Sequence, residues 1–352
     1  MTSEPASTPT VRPDPDPARP PAGDGGERRP TRWGILATGG IAATFVRDLR
    51  LVPDAEVVAV GSRAEGTARA FADRHGVPRA YGSWEALAAD PDVDVVYVAT
   101  PHAAHHDAAM TCLRAGRAVL VEKPLTLDRA SSAELIDAAH SRGLFLMEAM
   151  WMRCDPLVLR ARDLVRSGEI GELTSVQADF GLAGPFPAGH RLVDRALGGG
   201  ALLDLGIYPI TLAHLLLGPP DEIRSWAKLS LGGVDENTGV VLGYDSGAIA
   251  TLSCGLVGRT PTVATLTGTR GRIELPAPFI RPGQLVVHRL DADAPTVLPG
   301  ELVGSGYQHE AAEVQRCLAA GLLESPLVPH RATLEVMALL DAIRAQIGVS
   351  YP

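Results

Sequence analysis

The feature that most constrains this chain is a turn of small residues between an apolar run and a helical stretch. The run at 33–37 leads into an A-T-G-G-I-A segment that starts at Ala37. Small residues there let the backbone approach a pyrophosphate, and the free N–H groups of the following helix attract phosphate oxygens. We therefore predict a dinucleotide-binding turn, in which Ala37 replaces the usual first glycine. It is formed by Ala37, Thr38, Gly39, Gly40 and Ile41.

Strand-like and helix-like segments alternate from residue 31 to about residue 150. The strand-like runs are short, continuous and rich in Val, Ile and Leu, as in strands that are buried on both faces of a parallel sheet. The alternation predicts an α/β domain of the Rossmann type, a doubly wound parallel sheet, over residues 31–150. The predicted strands are 33–37, 56–60, 93–99, 118–121 and 144–147, with helices near 41–51, 64–75, 84–89, 104–115 and 128–141.

The pattern changes after Pro156. Over 151–330 we predict a second α/β domain with an open, largely antiparallel sheet, which serves substrate binding and dimerisation. A helix within 331–352 is expected to pack back on the first domain. Residues 1–30 contain eight prolines and few large apolar residues, so they are predicted to be a disordered tail. The expected second-half elements are helices at 157–167 and 202–217, and strands at 173–180, 222–231, 238–244, 247–255, 262–268 and 271–275.

Composition argues against several classes of protein. The net charge is −9 and no basic cluster is present, so nucleic acid is not an expected partner. We find no apolar run near the ~20 residues that a membrane span needs. The four cysteines are isolated, which favours a reducing, cytoplasmic compartment, and no metal site is predicted.

The end of the second predicted strand bears on the choice of nucleotide. Sites that prefer NAD place Asp or Glu there to hold the ribose 2′-hydroxyl. Here the strand ends in Ser62-Arg63, which can hydrogen-bond and pair with a 2′-phosphate, so we predict NADP(H). Alternatively, Ser62 caps the next helix and Arg63 is solvated, and both interpretations can hold together.

The third predicted strand ends at the same edge of the sheet. We therefore expect four residues of this turn and the helix after it to contact the cofactor, while no metal or catalytic role is predicted for the histidines. These residues are Thr100, Pro101, His102 and His105.

Lysine is almost absent, because Lys123 and Lys228 are the only lysines among 32 basic residues. Lys123 follows the fourth predicted strand. In a 3-2-1-4-5 strand order, that strand lies beside the first and flanks the ligand crevice. An amine can exchange a proton near neutral pH, whereas a guanidinium stays charged. We predict that Lys123 is catalytic.

Several motifs together resemble the Gfo/Idh/MocA oxidoreductases, and most of all their branch of dihydrodiol dehydrogenases and NADP-dependent D-xylose 1-dehydrogenases. The motifs are A-T-G-G-I-A, T-P-H-x-x-H, E-K-P, the G-G-G…D…Y run from Gly198 to Tyr208, and the segment 148–153. The resemblance implies a Rossmann domain followed by a domain with an open sheet. It places Glu122, Lys123 and Pro124 at the hydride-transfer site, with a bond before the proline that is often cis. It also makes Tyr208 the general acid/base.

Chemistry supports the assignment of Tyr208. Moving a hydride to or from an alcohol carbon also requires a proton to move, and a phenol near Lys123 is expected to have a lowered pKa. Asp204 precedes Tyr208 by four residues, so both would share one helix face, although Pro209 disfavours helix at Tyr208. Asp204 would either hold a substrate hydroxyl or complete a helix start.

Trp151 and Arg153 lie where the chain leaves the first domain. We predict that they form a wall and a polar anchor for substrate, with interdomain packing as the alternative. The polar Cys154-Asp155 pair replaces aromatic residues that follow this arginine in the resembling proteins, which favours sugar-like substrates over flat hydrocarbon diols.

The predicted function is an NADP(H)-dependent oxidoreductase that acts on a secondary alcohol or hemiacetal carbon of a sugar or cyclic diol. The alternatives are a nucleotide-sugar ketoreductase or inositol dehydrogenase of the same family and, from another class, a non-catalytic NADP-sensing regulator. The partners expected are a small sugar-like or polyol substrate and further copies of the chain in a homo-oligomer, with neither nucleic acid nor membrane.

Overall fold

The structure is a computed structural model that describes residues 29–187 and 189–352. The prediction of a disordered tail at 1–30 therefore falls outside the described residues, except for Arg29 and Pro30.

The first half of the described chain forms a six-stranded parallel sheet with helices between the strands. The strands are β1 (Thr31–Leu36), β2 (Ala55–Gly61), β3 (Arg79–Tyr81), β4 (Val95–Val98), β5 (Ala118–Glu122) and β6 (Leu146–Ala149), and the helices are α1 (Gly40–Leu49), α2 (Glu65–His75), α3 (Trp84–Ala88), α4 (His105–Arg114) and α5 (Arg129–Arg142). The order is β3-β2-β1-β4-β5-β6. All residues of β4, β5 and β6 are buried, as expected for a sheet covered by helices on both faces. The predicted doubly wound Rossmann sheet is confirmed.

The strand order corrects one expectation. We predicted that the strand before Lys123 lies beside the first strand, but β4 pairs with β1, and β5 pairs with β4. The three-residue strand β3 was too short to stand out in the sequence, and it occupies the outer edge. After β3 the chain crosses to the other side of β1 and forms β4 there, so the direction in which strands are added to the sheet reverses between β1 and β4. The crevice for a nucleotide lies at that reversal.

The second half forms an eight-stranded sheet, in the order β14-β13-β12-β11-β7-β10-β9-β8. Its strands are β7 (Leu173–Gly181), β8 (Glu222–Leu229), β9 (Asp235–Gly243), β10 (Ile249–Gly255), β11 (Ala264–Gly268), β12 (Gly271–Leu275), β13 (Gln284–Arg289) and β14 (Thr296–Pro299). Only the β7–β10 pairing is parallel. Burial alternates along β10, so one face of the sheet packs inward and the other is open, and the predicted open, largely antiparallel sheet is confirmed.

Four further helices pack around the two sheets: α6 (Pro156–Arg166), α7 (Ile207–Leu217), α8 (Tyr307–Ala319) and α9 (His330–Ile347). Helix α9 contacts α5 of the first half as well as α7 and β8 of the second. Helix α7 directly continues a π-helical turn, Leu202–Gly206. Pro209 therefore lies inside the helix, where it has no N–H to donate to the preceding turn.

One helical stretch, Arg195–Leu217, is long and apolar enough to cross a membrane, with a mean hydropathy of 1.6. We expected no apolar run near the length of a membrane span, and this stretch is an exception by length and composition. In the fold, 89% of its apolar window is buried. A helix that is buried to this extent is a core helix of the fold.

Candidate active site

The turn between β1 and α1 has the open geometry that a dinucleotide needs. Helix α1 begins without a side-chain cap and without an acidic residue in its first turn. A Cβ atom added at Gly39 or Gly40 would meet nothing within 4 Å, so the turn leaves room for a ligand. Ala37 has a φ of 119°, in the region that favours glycine, and its N–H donates to the Gly61 carbonyl at 3.0 Å. The missing first glycine is therefore accommodated at the cost of backbone strain.

The loop after β4 carries a polar atom that fits a ligand in this crevice. The Thr100 hydroxyl oxygen is buried, and no residue of the described chain hydrogen-bonds to it. An unpartnered buried hydroxyl is costly, so a group that binds at this edge would relieve it. Together with the open turn at Gly39, this fits a nicotinamide dinucleotide between β1 and β4. Thr38, Ile41 and Pro101 flank these positions in sequence.

As the sequence predicts, β2 is followed by Ser62 and Arg63 and not by a carboxylate. The Ser62 hydroxyl lies 2.8 Å from the Thr67 hydroxyl, and the N-cap of α2 is Ala64, so Ser62 does not cap this helix. Arg63 is exposed and makes no hydrogen bond or ion pair with any described residue. Its guanidinium is therefore available to a group that binds at the crevice.

The three histidines after β4 occupy different surroundings. His105 is buried between the carbonyls of Pro124 and Thr100, at 2.8 and 2.9 Å, and burial lowers its pKa to about 3. His102 is buried and its Nδ1 lies 2.9 Å from the Gly198 carbonyl oxygen. His106 points outward, against Glu134. No cluster of three or more potential metal ligands occurs among residues 29–187 and 189–352.

Lys123 joins the first sheet to the π-helical turn of the second half. It follows β5, and the Lys123–Pro124 bond is cis. Its Nζ donates to the Asp204 carbonyl oxygen at 2.8 Å and to Asp204 Oδ1 at 3.1 Å. The carbonyl belongs to the π-helical turn Leu202–Gly206, so the ammonium group is bonded to both the backbone and the side chain of Asp204.

The Asp204 carboxylate is shared by three basic side chains. Besides Lys123, Arg191 Nη1 donates to Oδ1 at 2.8 Å, and His102 Nε2 lies 3.5 Å from the same oxygen. Burial acts to raise the pKa of this carboxyl, but Lys123, His102 and Arg191 outweigh it and hold the pKa well below its usual value. Asp204 is thus ionised, and its Oδ1 is engaged by all three side chains, whereas its Oδ2 has one long contact, with Arg191 Nη2 at 3.4 Å.

Tyr208 lies one helical turn after Asp204, and the Lys123 Nζ is 5.0 Å from the centre of its ring. The Tyr208 hydroxyl accepts a hydrogen bond from Trp151 Nε1 at 2.9 Å. Our expectation of a lowered pKa is wrong: burial raises the pKa of Tyr208 well above its usual value, and nearby Tyr307 and Glu122 add to the increase. The ammonium group lies over the ring and is held by Asp204, so it does not offset burial at the hydroxyl.

A group of acids lies behind Lys123. Tyr97 donates to Glu122 Oε1 at 2.5 Å, and the Lys123 N–H donates to Glu122 Oε2 at 3.2 Å. Glu310 of α8 is fully buried, and neither carboxyl oxygen has a partner among the described residues. Burial and the neighbouring Glu122 raise the pKa of Glu310 well above its usual value.

The predicted substrate residues separate into two places. Trp151 is part of the cluster, against Tyr208 and, at 5.1 Å between ring centres, Tyr307. Arg153 is not brought there, because its buried side chain donates from Nε to the Leu327 carbonyl at 2.8 Å. Both residues lie within 151–330, so this contact is packing inside the second domain rather than between the domains.

Sequence reasoning missed Arg191, Tyr307, Tyr97 and Glu310. Arg191 lies in an irregular Gly- and Pro-rich loop with no periodicity to mark it. The signal available was its chemistry, an arginine thirteen residues before Asp204, and spacing alone does not place it at the carboxylate.

Comparisons with known proteins identify the family. Residues 31–150 match the family described as "Oxidoreductase family, NAD-binding Rossmann fold", and residues 158–274 match the GFO/IDH/MocA C-terminal domain. The chain is 38% identical over 330 residues to trans-1,2-dihydrobenzene-1,2-diol dehydrogenase of Bos taurus, which covers 91% of this chain and 98% of the relative. The Xenopus laevis protein of the same name is 37% identical over 330 residues, which covers 92% and 99%.

Solved structures are similar over the same length. A 3-ketoreductase from Actinomadura kijaniata in complex with NADP and TDP-benzene has 30% identity and a TM-score of 0.82, over 91% of this chain and 98% of that one. An aldose–aldose oxidoreductase from Caulobacter crescentus has the same TM-score at 23% identity, over 90% and 97%, and shows the shared fold.

The fold and the site define an oxidoreductase that uses a nicotinamide cofactor and acts on CH–OH groups. The chain belongs to the Gfo/Idh/MocA oxidoreductase family, as the motifs of the sequence predicted.

Proposed function

We propose that this protein is an NADP(H)-dependent dehydrogenase or reductase for a secondary alcohol or hemiacetal carbon of a sugar-like substrate or cyclic diol. The observation that carries the proposal is the cluster of Lys123, Asp204 and Tyr208 at the carboxyl end of β5, one strand from the nucleotide crevice. A bound nicotinamide would supply the acceptor or donor of the hydride. The chain's own residues then have to move one proton.

Tyr208 is suited to hold that proton. Because its oxygen accepts from Trp151 Nε1, its own O–H hydrogen is free to point to the oxygen of a substrate. Its raised pKa keeps the phenol neutral until a substrate oxygen gains negative charge. In the reduction, Tyr208 gives its proton to the carbonyl oxygen as the hydride arrives, and Trp151 Nε1 donates to the phenolate oxygen that remains. In the oxidation the same proton returns.

Substrate recognition uses the donors that surround Asp204. Because Asp204 Oδ1 is already engaged by Lys123 and Arg191, we assign to this carboxylate the orientation of Lys123 rather than the capture of a substrate hydroxyl. Arg191 is 50% exposed and has N–H donors beyond those that it gives to Asp204. Hydroxyl groups of a sugar or diol would meet Arg191 and Lys123, against the wall formed by Trp151.

NADP(H) is the proposed cofactor because a carboxylate is absent at the end of β2 and Arg63 is free of partners among the described residues. The NADP complex of the ketoreductase from Actinomadura kijaniata agrees with this choice. The four cysteines are unpaired and buried, which supports a reducing, cytoplasmic location.

The open face of the eight-stranded sheet supports a homo-oligomer. It presents Trp226, Val241 and Ile249, which are 72%, 43% and 49% exposed. These side chains lie on neighbouring strands, as the pairings of Trp226 with Gly239 and of Ile249 with Gly243 show. Light scattering is expected to show a dimer or a larger species, and a Val241→Glu variant is expected to dissociate. A monomer at all concentrations would contradict this proposal.

A substrate panel tests the proposed function. Aldoses, inositols, ketosugars, trans-dihydrodiols and a nucleotide-linked ketosugar are each followed by cofactor absorbance, with NADP and NAD in parallel. We expect turnover of a sugar or diol with NADP and a loss of about 10²–10⁴-fold in Tyr208→Phe. Better turnover with NAD would contradict the cofactor, and full activity of Tyr208→Phe would move the proton transfer elsewhere. Cofactor binding without any turnover would favour the sensor.

A further inference from the structure

The last residues of the sequence contact the glycine turn 198–200, which precedes the π-helical turn. The Tyr351 hydroxyl donates to the Gly199 carbonyl oxygen at 2.7 Å. Arg195 holds the adjacent residue, since its Nε donates to the Ser350 carbonyl oxygen at 2.6 Å and its NH2 to the Ser350 hydroxyl at 2.9 Å. The Arg344 guanidinium lies 5.1 Å from the centre of the Tyr351 ring. Tyr351 is therefore held on both sides.

The same turn packs directly on His102. Gly198 has a φ of 78°, and a Cβ atom there would lie 2.8 Å from His102 Cβ and 2.7 Å from Leu127 Cδ2. Only a glycine fits this approach. The Gly198 carbonyl oxygen then meets His102 Nδ1 at 2.9 Å. A shift of the turn must therefore move the imidazole.

His102 connects the glycine turn to the catalytic cluster. Its second ring nitrogen, Nε2, faces Asp204 Oδ1 at 3.5 Å, and the same oxygen accepts from Lys123 at 3.1 Å. A continuous path of hydrogen bonds and close contacts thus joins Tyr351 to Lys123. It passes through the glycine turn, His102 and Asp204, all of them buried or nearly so.

We propose that Tyr351 is a positioning residue of the active site, which fixes the 198–200 turn and, through His102, the orientation of Asp204 and Lys123. The inference rests on the proposed function, because it takes Lys123 as part of the catalytic machinery. Tyr351 touches neither substrate nor reacting atoms. Its hydroxyl acts at a distance, through the position of the turn.

The test compares Tyr351→Phe with Tyr244→Phe. The first variant keeps the ring and its contact with Arg344 but loses the hydrogen bond to Gly199. The second removes another buried hydroxyl, which has no hydrogen-bond partner among the described residues. In Tyr351→Phe we expect kcat to fall about three- to tenfold, the range that one lost hydrogen bond allows, while the KM for NADP stays within error and the thermal midpoint falls by only about 1–4 °C. Tyr244→Phe is expected to keep its kcat.

A second measurement does not need turnover. The imidazole ¹⁵N signals of His102, assigned with a His102→Gln variant, are expected to move in Tyr351→Phe and to stay in place in Tyr244→Phe. Unchanged kcat and unchanged His102 signals in Tyr351→Phe would overturn the proposal. The proposal would also be overturned if kcat and the thermal midpoint of Tyr351→Phe both fell while the His102 ¹⁵N signals stayed in place. If the wild-type protein turned over no substrate, the proposed function would fail, and the ¹⁵N signals would still decide whether Tyr351 positions His102.

Discussion

The indole Nε1 of Trp151 donates a hydrogen bond to the Tyr208 hydroxyl over 2.9 Å. The tyrosine oxygen is thereby fixed as an acceptor, and its proton is left for a substrate. Replacing Trp151 by Phe keeps an aromatic wall but frees the hydroxyl to rotate. We expect kcat to fall about three- to tenfold in Trp151→Phe, as one lost hydrogen bond permits.

Steady-state kinetics of Trp151→Phe are compared with those of Trp226→Phe, which changes an exposed tryptophan on the open sheet. The control is expected to keep the wild-type kcat. Equal activity of both variants would show that the indole donor has no part in catalysis.

Lys123 offers a matched pair with the only other lysine. In Lys123→Met we expect kcat to fall about 10²–10⁴-fold, because the positive charge beside Tyr208 and the partner of Asp204 are both lost. Lys228→Met removes an amine that is 67% exposed and paired with Glu236, and it is expected to leave kcat unchanged. Circular dichroism of both variants controls for folding. Wild-type turnover in Lys123→Met would remove the amine from the mechanism.

Arg63 is expected to discriminate between the two dinucleotides. Arg63→Ala loses a charged hydrogen bond to the 2′-phosphate, so the KM for NADP should rise about 10–100-fold while the KM for NAD hardly changes. Arg69→Ala, on the exposed face of α2, changes a guanidinium that pairs with Glu65 and is the control. An equal rise for both dinucleotides would place Arg63 outside the phosphate site.

Two glutamates of α8 should have opposite effects on stability. Burial and the neighbouring Glu122 raise the pKa of Glu310 well above its usual value, so releasing its proton costs more free energy in the folded protein than in the unfolded chain. This cost is absent below the unfolded pKa and grows as the pH rises above it. Glu310→Gln should therefore raise the free energy of unfolding by about 1–3 kcal/mol at pH 7 and by much less at pH 4.

Glu313 lies one turn further and pairs with Arg316 at 2.7 Å. Burial opposes ionisation of Glu313, but the hydrogen bonds from Arg316 and Ser325 outweigh it and lower the pKa. Its stabilising effect is present above the unfolded pKa and is lost as the pH falls through the folded pKa. Glu313→Gln should therefore be less stable than the wild type at pH 7. Urea unfolding of both variants at pH 4 and pH 7 measures the signs, and the same sign for both would contradict the assignment.

The parallel sheet was predictable because its strands are continuous apolar runs, as in Val95–Val98, and because a turn of small residues follows the first strand. Strand β3 was not, since three half-buried residues, Arg79–Tyr81, carry no period. Missing it put β5 beside β1. A strand order is decided by where the chain crosses over, and local sequence does not record that.

The candidate site was predictable where a residue follows a strand, as Lys123 does. Its electrostatics were not. The sequence suggested that Lys123 lowers the pKa of Tyr208, but the outcome depends on which atom the ammonium group faces. It faces Asp204, whose backbone carbonyl and carboxylate oxygens both accept hydrogen bonds from Lys123. Arg191 reaches the same carboxylate from an irregular loop, which no periodicity could locate.

Acylating reagents find two side-chain amines in the whole sequence, and they differ sharply in access. The amine of Lys228 stands on an outer strand, whereas that of Lys123 is 10% exposed and held by Asp204. Of the two lysines, a reagent would therefore modify Lys228 and leave the working centre chemically intact. Because Lys228 is two residues from Trp226 on the open sheet, slower acylation of its amine would report that further copies of the chain cover this face.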